Sequence, residues 1–185
     1  HAAAAMMALR LNKHVYCQKP LARTLTEVRT IKAQAAKTKV ATQMGNQGHA
    51  GDGVRILREW IEAGVIGTVR EVQYWTNRPI WPQGNGAKFE TGKATPDTLD
   101  WEAWQAANPL VGYTDGLHPF AWRGWWDFGS GVLGDIACHE WSPIFKALKL
   151  GHPTSIESCS TNYHAAPEVA RETAPVASHT RYEFA

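Results

Sequence analysis

The chain has 185 residues, of which 44% are hydrophobic and 19% charged, and its formal net charge at pH 7 is +2. This composition can bury a core and excludes an intrinsically disordered protein. The small charge and the singly scattered lysines and arginines exclude an electrostatic nucleic-acid interface. No run of about 18 apolar residues is present, so we expect no membrane insertion.

The first 48 residues predict alternating helices and strands. In chain order the elements are a helix over 1–12, a strand over 14–17, a helix over 27–37 and a strand over 39–44. Pro20 ends the first strand because it cannot continue a hydrogen-bonded ladder, and Thr26 is the predicted N-cap of the second helix. This alternation with short connections is typical of a parallel sheet wound with helices.

After residue 48 the pattern becomes that of an α+β region. Helices are predicted over 53–63 and 131–150, strands over 69–77, 156–163 and 181–184, a long loop over 79–96 and a Trp-rich segment over 101–126. The chain begins with His1 in place of Met and ends within an alternating pattern, so we expect an internal piece of a longer protein.

Lys19 follows the first predicted strand directly and precedes Pro20. In parallel sheets ligands bind at the carboxyl ends of the strands, so a lysine here is a candidate catalytic residue. A partly desolvated ammonium can exchange protons near neutral pH. The alternative is a solvated surface lysine.

Asp135 and His139 are four residues apart in the long predicted helix, so they share one face. An aspartate beside a histidine raises the basicity of the imidazole and orients it, as a general base requires. The alternatives are an ion pair on a core helix and a metal site. A metal would also need His118 or Cys159 as ligands, so we expect none.

The three cysteines, Cys17, Cys138 and Cys159, have no CxxC spacing. They fit neither a disulfide framework nor a zinc site, and we expect free thiols.

Tryptophan is abundant, with nine in the chain, and its flat ring suits the C–H faces of sugars. Most of these rings should lie in the core. The candidates for lining a pocket are Trp81, in the long loop, and the Trp122-Arg123-Gly124-Trp125-Trp126 run.

Taken in order, these motifs resemble the Gfo/Idh/MocA family of glucose–fructose oxidoreductases and inositol dehydrogenases. The motifs are Lys13-His14-Val15-x-Cys17-x-Lys19-Pro20, residues 42–49, 75–81 and 122–129, and Asp135-x-x-x-His139. The resemblance covers essentially the whole chain. The family motif Glu-Lys-Pro stands here as Gln18-Lys19-Pro20, which keeps the lysine but drops one charge.

The resemblance implies the C-terminal part of a Rossmann domain over 1–47, then an incomplete α+β substrate domain with an open, mostly antiparallel sheet over 48–185. NAD or NADP is the implied cofactor, with its glycine-rich loop upstream of this chain. The residues implied on the cofactor side are His1, Gln18, Lys19 and Asn46.

The implied reaction is oxidation of a secondary hydroxyl of a sugar, glycoside or cyclitol by hydride transfer. His139 would take the hydroxyl proton, Asp135 would orient His139, and Lys19 would stabilise the developing negative charge on oxygen. The substrate would contact Trp81, Trp122, Arg123, Trp126 and His139.

Two other functions stay open: a glycoside hydrolase that uses NAD for transient oxidation, and a catalytically silent carbohydrate-binding homologue. The resemblance also implies a homo-oligomer assembled through the substrate-domain sheet. For location it implies either the cytoplasm or the periplasm.

Overall fold

The fold is described by a computed structural model that covers residues 1–84, 92–108, 111–161 and 169–185. Its first unit contains α1 (Ala2–Arg10), β1 (Val15–Gln18), α2 (Leu25–Ala35) and β2 (Thr42–Gly45). The two strands are parallel, with Val15 opposite Thr42 and Gln18 opposite Gly45. The predicted order of helices and strands around a parallel sheet is therefore confirmed.

A small apolar core holds this first unit together. Leu9 of α1 is 1% exposed and packs in one cluster with Cys17 of β1 and Ile31 of α2. Packing α1 against α2 and against β1 removes apolar surface from water, which is the main term that stabilises such a unit.

The predicted N-cap of α2 is wrong by two residues. Thr24, and not Thr26, caps the helix: its Oγ1 accepts a hydrogen bond from the Glu27 backbone N–H at 3.2 Å, and Glu27 Oε2 accepts one from the Thr24 N–H at 2.9 Å. This reciprocal pair is a capping box. Burial raises the pKa of the Glu27 carboxyl, but hydrogen bonds from Thr24 and Arg23 outweigh it and leave that pKa below its ordinary value.

The second unit combines helices with an antiparallel strand pair. Its elements are α3 (Asp52–Glu62), α4 (Trp101–Gln105), a 3-10 turn (Ala121–Gly124), α5 (Gly131–Leu148), β3 (Ser155–Ser160), α6 (Val169–Glu172) and β4 (Ser178–Glu183). Ser155 lies opposite Glu183 in the β3–β4 pair. Edge-on ring contacts, from Trp141 to Tyr182 and from Phe145 to Phe184, join α5 to the chain at and after β4.

The predicted strand over 69–77 is not formed, because these residues pair with no other strand in the described parts of the chain. Alternating side chains favour an extended backbone, but a strand also requires a hydrogen-bonding neighbour. The predicted loop is irregular over 79–84 and 92–96, whereas 85–91 lie outside the described residues. The predicted end of β3 at 162–163 also lies outside them.

The Trp-rich segment forms a second core. Trp101, Leu117 and Trp125 are buried together, and Trp104 stacks on Trp101 with ring centroids 4.8 Å apart. Aromatic contacts of this kind add to the energy of area burial. Within the described residues, no helix has the length and apolar composition needed to cross a membrane.

Candidate active site

Lys19 and Asp135, which are 116 residues apart in the chain, form an ion pair. Lys19 lies at the carboxyl end of β1, where its backbone N–H donates to the Gly45 carbonyl at 3.2 Å. Its Nζ donates to Asp135 Oδ1 at 2.9 Å and to the Asp135 backbone carbonyl at 3.1 Å. The side chains are 16% and 7% exposed. The strand-end lysine is therefore held against α5 and is not a solvated surface residue.

His139 lies one turn further along α5, but it does not have the predicted partner. Its Nδ1 lies 3.1 Å from the backbone carbonyl oxygen of Gln47, whereas the Asp135 carboxylate contacts Lys19. The prediction that Asp135 orients His139 is therefore wrong. The two residues share a helix face as expected, but each finds its partner in a different strand-end loop.

The turn after β2 makes further contacts with the same face of α5. Asn46 Nδ2 donates to the Cys138 carbonyl at 3.0 Å, and His49 Nδ1 lies 2.7 Å from Ser142 Oγ. Gln47, His49 and Ser142 were not among the residues predicted from the sequence. The available signal was the spacing of Asp135, His139 and Ser142, which places polar side chains on one helix face.

Arg123 is the second cation near Asp135. Its Nε lies 3.7 Å from Asp135 Oδ1, and its Nη1 donates to the Phe120 carbonyl at 2.9 Å. The guanidinium carbon lies 4.5 Å from the Phe120 ring centroid and 4.6 Å from that of Trp122. These contacts hold the Arg123 guanidinium beside the Asp135 carboxylate. The Arg123 side chain remains 24% exposed.

Trp81, which was predicted to line a pocket, lies in the core. Trp81 is 5% exposed, its indole N–H donates to Gln83 Oε1 at 2.7 Å, and its ring packs edge-on against Phe120. It is a core residue that packs next to Arg123. Trp126, by contrast, is 38% exposed.

Trp122 lines a cleft of about 220 Å³ between the two units. The first unit contributes His1, Pro20 and Arg23 to it, and the second contributes Trp104 and Ser130 among others. His1 Nδ1 lies 2.9 Å from the Gln18 carbonyl and 3.1 Å from that of Pro20. His1 therefore holds the loop that carries Lys19.

The ends of β1 and β2 fit the nicotinamide nucleotide that a Rossmann fold implies. Gln18 folds over Gly45 so closely that a Cβ at position 45 would collide with the Gln18 side chain. Gly45 thus leaves room for the side-chain amide of Gln18 at this edge of the sheet. Lys19 and Asn46 are the next residues after the two strands. Amide and ammonium donors suit the carboxamide and ribose oxygens of such a cofactor.

The cysteines and acidic groups form no metal site in the parts of the chain that the structure describes. No group of three His, Cys, Asp or Glu side chains there could hold a metal ion. All three cysteines are free thiols. Burial raises the pKa of Cys138, with Lys19 opposing that effect, so the Cys138 thiol is protonated near neutral pH.

In a parallel sheet wound with helices, ligands bind at the carboxyl ends of the strands, which is where Lys19 and Asn46 lie. The family model described as "Oxidoreductase family, NAD-binding Rossmann fold" matches residues 1–46, and the one described as "Oxidoreductase family, C-terminal alpha/beta domain" matches residues 52–167. The chain belongs to this Gfo/Idh/MocA oxidoreductase family.

Individual relatives agree with this assignment. Inositol 2-dehydrogenase 3 of Saccharopolyspora erythraea is 30% identical over 105 residues, which are 55% of this chain and 31% of that protein. The crystal structure of a putative dehydrogenase from Bordetella bronchiseptica RB50 has the same fold, with a TM-score of 0.54 at 13% identity over 100% of this chain and 38% of that one. The chain thus spans about a third of the length of these relatives.

Proposed function

We propose that the natural polypeptide containing these residues is an NAD- or NADP-dependent oxidoreductase that oxidises a secondary hydroxyl of a sugar, glycoside or cyclitol. The observation that carries the proposal is the ion pair between Lys19, at a Rossmann strand end, and Asp135 on α5. Family membership supports the reaction type, and the inositol 2-dehydrogenase relative supports a polyol substrate. We place the boundary between the two domains at residues 47 and 48.

The bound nicotinamide supplies the hydride acceptor, and the residues of this chain manage charge and protons around it. His1, Gln18, Lys19 and Asn46 would contact the cofactor. Lys19 keeps its ammonium close to the substrate oxygen and stabilises the negative charge that develops there. Asp135 holds that ammonium in place, so its role is to position Lys19.

His139 is the proposed general base. Loss of hydride leaves the carbinol carbon electron-poor unless its oxygen loses a proton in the same step, and the imidazole takes that proton. Such assistance contributes about 100- to 10,000-fold to a rate. Trp122 and the half-exposed Trp126 would present apolar ring faces to the sugar, and Arg123 would border the same site.

The test compares site variants with matched exposed controls in the natural polypeptide at its full expressed length. Lys19→Met and His139→Gln should each lower turnover about 100-fold or more, measured as reduced nicotinamide formed from inositols and pyranosides. Lys146→Met and His152→Gln change the same residue types at exposed positions and should leave turnover unchanged. Near-normal turnover in both site variants would refute the assignment.

The same assay distinguishes the other functions. Glycoside cleavage without net formation of reduced nicotinamide would identify transient oxidation, and sugar binding without bound cofactor would identify a silent homologue.

We also propose homo-oligomerisation through the substrate-domain sheet. The side chains of β3 are exposed along its whole length, which leaves a surface available for a second copy. Light scattering of the natural polypeptide tests this, and a monomer at all concentrations would refute it.

A further inference from the structure

We propose that the turn Asn46–His49, anchored to α5 by the His49–Ser142 hydrogen bond, sets the tautomer and orientation of His139 through the Gln47 carbonyl. His49 and Ser142 are thus positioning residues. The kinetic consequence rests on the proposed function, because it requires His139 to be the base. The structural consequence does not.

The Gln47 carbonyl determines which ring nitrogen of neutral His139 carries the proton. A backbone carbonyl only accepts hydrogen bonds, so the Nδ1 that lies 3.1 Å from the Gln47 oxygen must carry the proton. In the neutral imidazole this leaves the lone pair on Nε2. The carbonyl therefore selects the tautomer in which Nε2 is the base.

The Gln47 carbonyl is itself held in place by the residues on either side of it. The turn is fastened to α5 on both sides of Gln47: Asn46 Nδ2 donates to the Cys138 carbonyl, and His49 Nδ1 lies 2.7 Å from Ser142 Oγ. Inside the turn the His49 N–H donates to the Asn46 carbonyl at 3.3 Å. The three attachments of the turn, at Cys138, His139 and Ser142, span about one turn of the helix.

Gly48 supplies the backbone conformation that this turn requires. Its φ is +85°, in the region that side chains disfavour, and no atom lies within 4 Å of where a Cβ would stand. The glycine is thus needed for conformation and not for space. It lets the chain reverse between the Gln47 carbonyl and His49.

Asp135, the other candidate for orienting His139, has different partners. Asp135 has its Oδ1 engaged by Lys19 at 2.9 Å, with Arg123 at 3.7 Å. The Asp135 carboxylate therefore pairs with Lys19 and Arg123. The orientation of His139 therefore falls to the Gln47 carbonyl, as a backbone carbonyl often does for functional histidines.

The proton balance is simple. The substrate O–H bond breaks, its proton bonds to Nε2, and the ring becomes an imidazolium with a proton on both nitrogens. The Gln47 carbonyl accepts from Nδ1–H before and after the transfer, and its dipole stabilises the new positive charge. The electron pair of the broken C–H bond leaves as hydride in the proposed reaction.

The experiment records ¹⁵N spectra of histidine-labelled natural polypeptide at alkaline pH, where the imidazoles are neutral, with His139→Gln used to assign the signal. The unsubstituted protein should show His139 protonated at Nδ1. Ser142→Ala and His49→Ala should shift the signal toward a mixture of tautomers, whereas Ser142→Thr, which keeps the hydroxyl, should not. Gly48→Ala should also shift it, since it changes only the turn, and His152→Ala is the matched exposed control.

In kinetics, Ser142→Ala and His49→Ala should lower kcat about tenfold or more with KM nearly unchanged, because substrate contacts are kept while the base is misaligned. An unchanged Nδ1–H tautomer in folded Ser142→Ala, His49→Ala and Gly48→Ala would overturn the positioning role, whatever the activity. A shifted tautomer together with full activity of His139→Gln would support the positioning role and refute the proposed function.

Discussion

The Lys19–Asp135 ion pair predicts an unequal response to removing its two members. At an effective dielectric constant of about 20, unit charges at the observed 2.9 Å attract by about 6 kcal/mol, most of which desolvation offsets. Asp135→Asn leaves two cations, Lys19 and Arg123, beside an uncharged and buried amide. We expect it to cost about 3 kcal/mol of unfolding free energy, the low end for a broken buried pair, because the lysine keeps some solvent contact.

Lys19→Met should cost less, about 1–2 kcal/mol, because Arg123 remains to compensate the carboxylate. The double variant should be more stable than the sum of the single losses by about 1–2 kcal/mol. The assay is denaturant unfolding of the four proteins. The Arg58–Glu62 pair, at 3.0 Å but well exposed, is the control and should show a much smaller coupling, because solvent screens the two charges.

Two outcomes would refute this reasoning about the pair. If the losses add to within about 0.5 kcal/mol, the two side chains do not interact in the folded protein. If Lys19→Met costs more than Asp135→Asn, then Arg123 does not share the carboxylate.

Three further predictions concern the framework. Thr24→Ala should cost about 1 kcal/mol by removing the α2 cap, whereas Thr26→Ala should be neutral or slightly stabilising; melting curves compare them. Gly129→Ala should cost about 1–3 kcal/mol because its Cβ would press on the backbone of the 3-10 turn, whereas Gly53→Ala, in open space on α3, should gain about 0.5–1 kcal/mol. The pKa of Glu27 is lower in the folded protein than in the unfolded chain, so its carboxylate stabilises the fold at pH values above the ordinary glutamate pKa. The unsubstituted protein should therefore lose its stability advantage over Glu27→Gln as the pH falls through the pKa that Glu27 has in the folded protein, as measured by unfolding at a series of acid pH values.

The local elements of the fold could largely be predicted, because periodicity and turn residues determine them. The helix and strand order of the first unit follows from pattern alone. The α2 cap was misplaced because two threonines stand two residues apart, and only Thr24 has a glutamate three residues later. The prediction of a strand over 69–77 was wrong because alternating side chains indicate only that the backbone prefers to be extended. They do not show whether a neighbouring strand is present to form the hydrogen bonds of a ladder.

Part of the site was predictable as well. Lys19, Asp135 and His139 were predicted from strand-end position and helix spacing. The structure brings Lys19 to Asp135 on α5 and places His139 one turn further along that helix, while their catalytic roles stay predictions. Their partners were not predictable, because the contact from Lys19 to Asp135 spans 116 residues and the one from Gln47 to His139 spans 92. The burial of Trp81 was not predictable either, because the sequence of a loop does not show which side chains the rest of the domain will cover.

The geometry of the site follows from one structural relation. Parallel strands send their carboxyl ends to the same edge, so Lys19 after β1 and Asn46 after β2 reach one helix together despite their separation in the chain. The register of β1 and β2, which places Gln18 opposite Gly45, determines which residues of α5 the loop after each strand contacts. Lys19 meets Asp135, and the following turn meets Cys138, His139 and Ser142. A one-residue slip between the strands would move the ammonium about 3.3 Å, enough to break its bond to Asp135 while leaving His139 with its own partner. The position of Lys19 relative to His139, the proposed charge-stabilising group and the proposed base, therefore depends on the register of β1 and β2 as well as on the residues themselves.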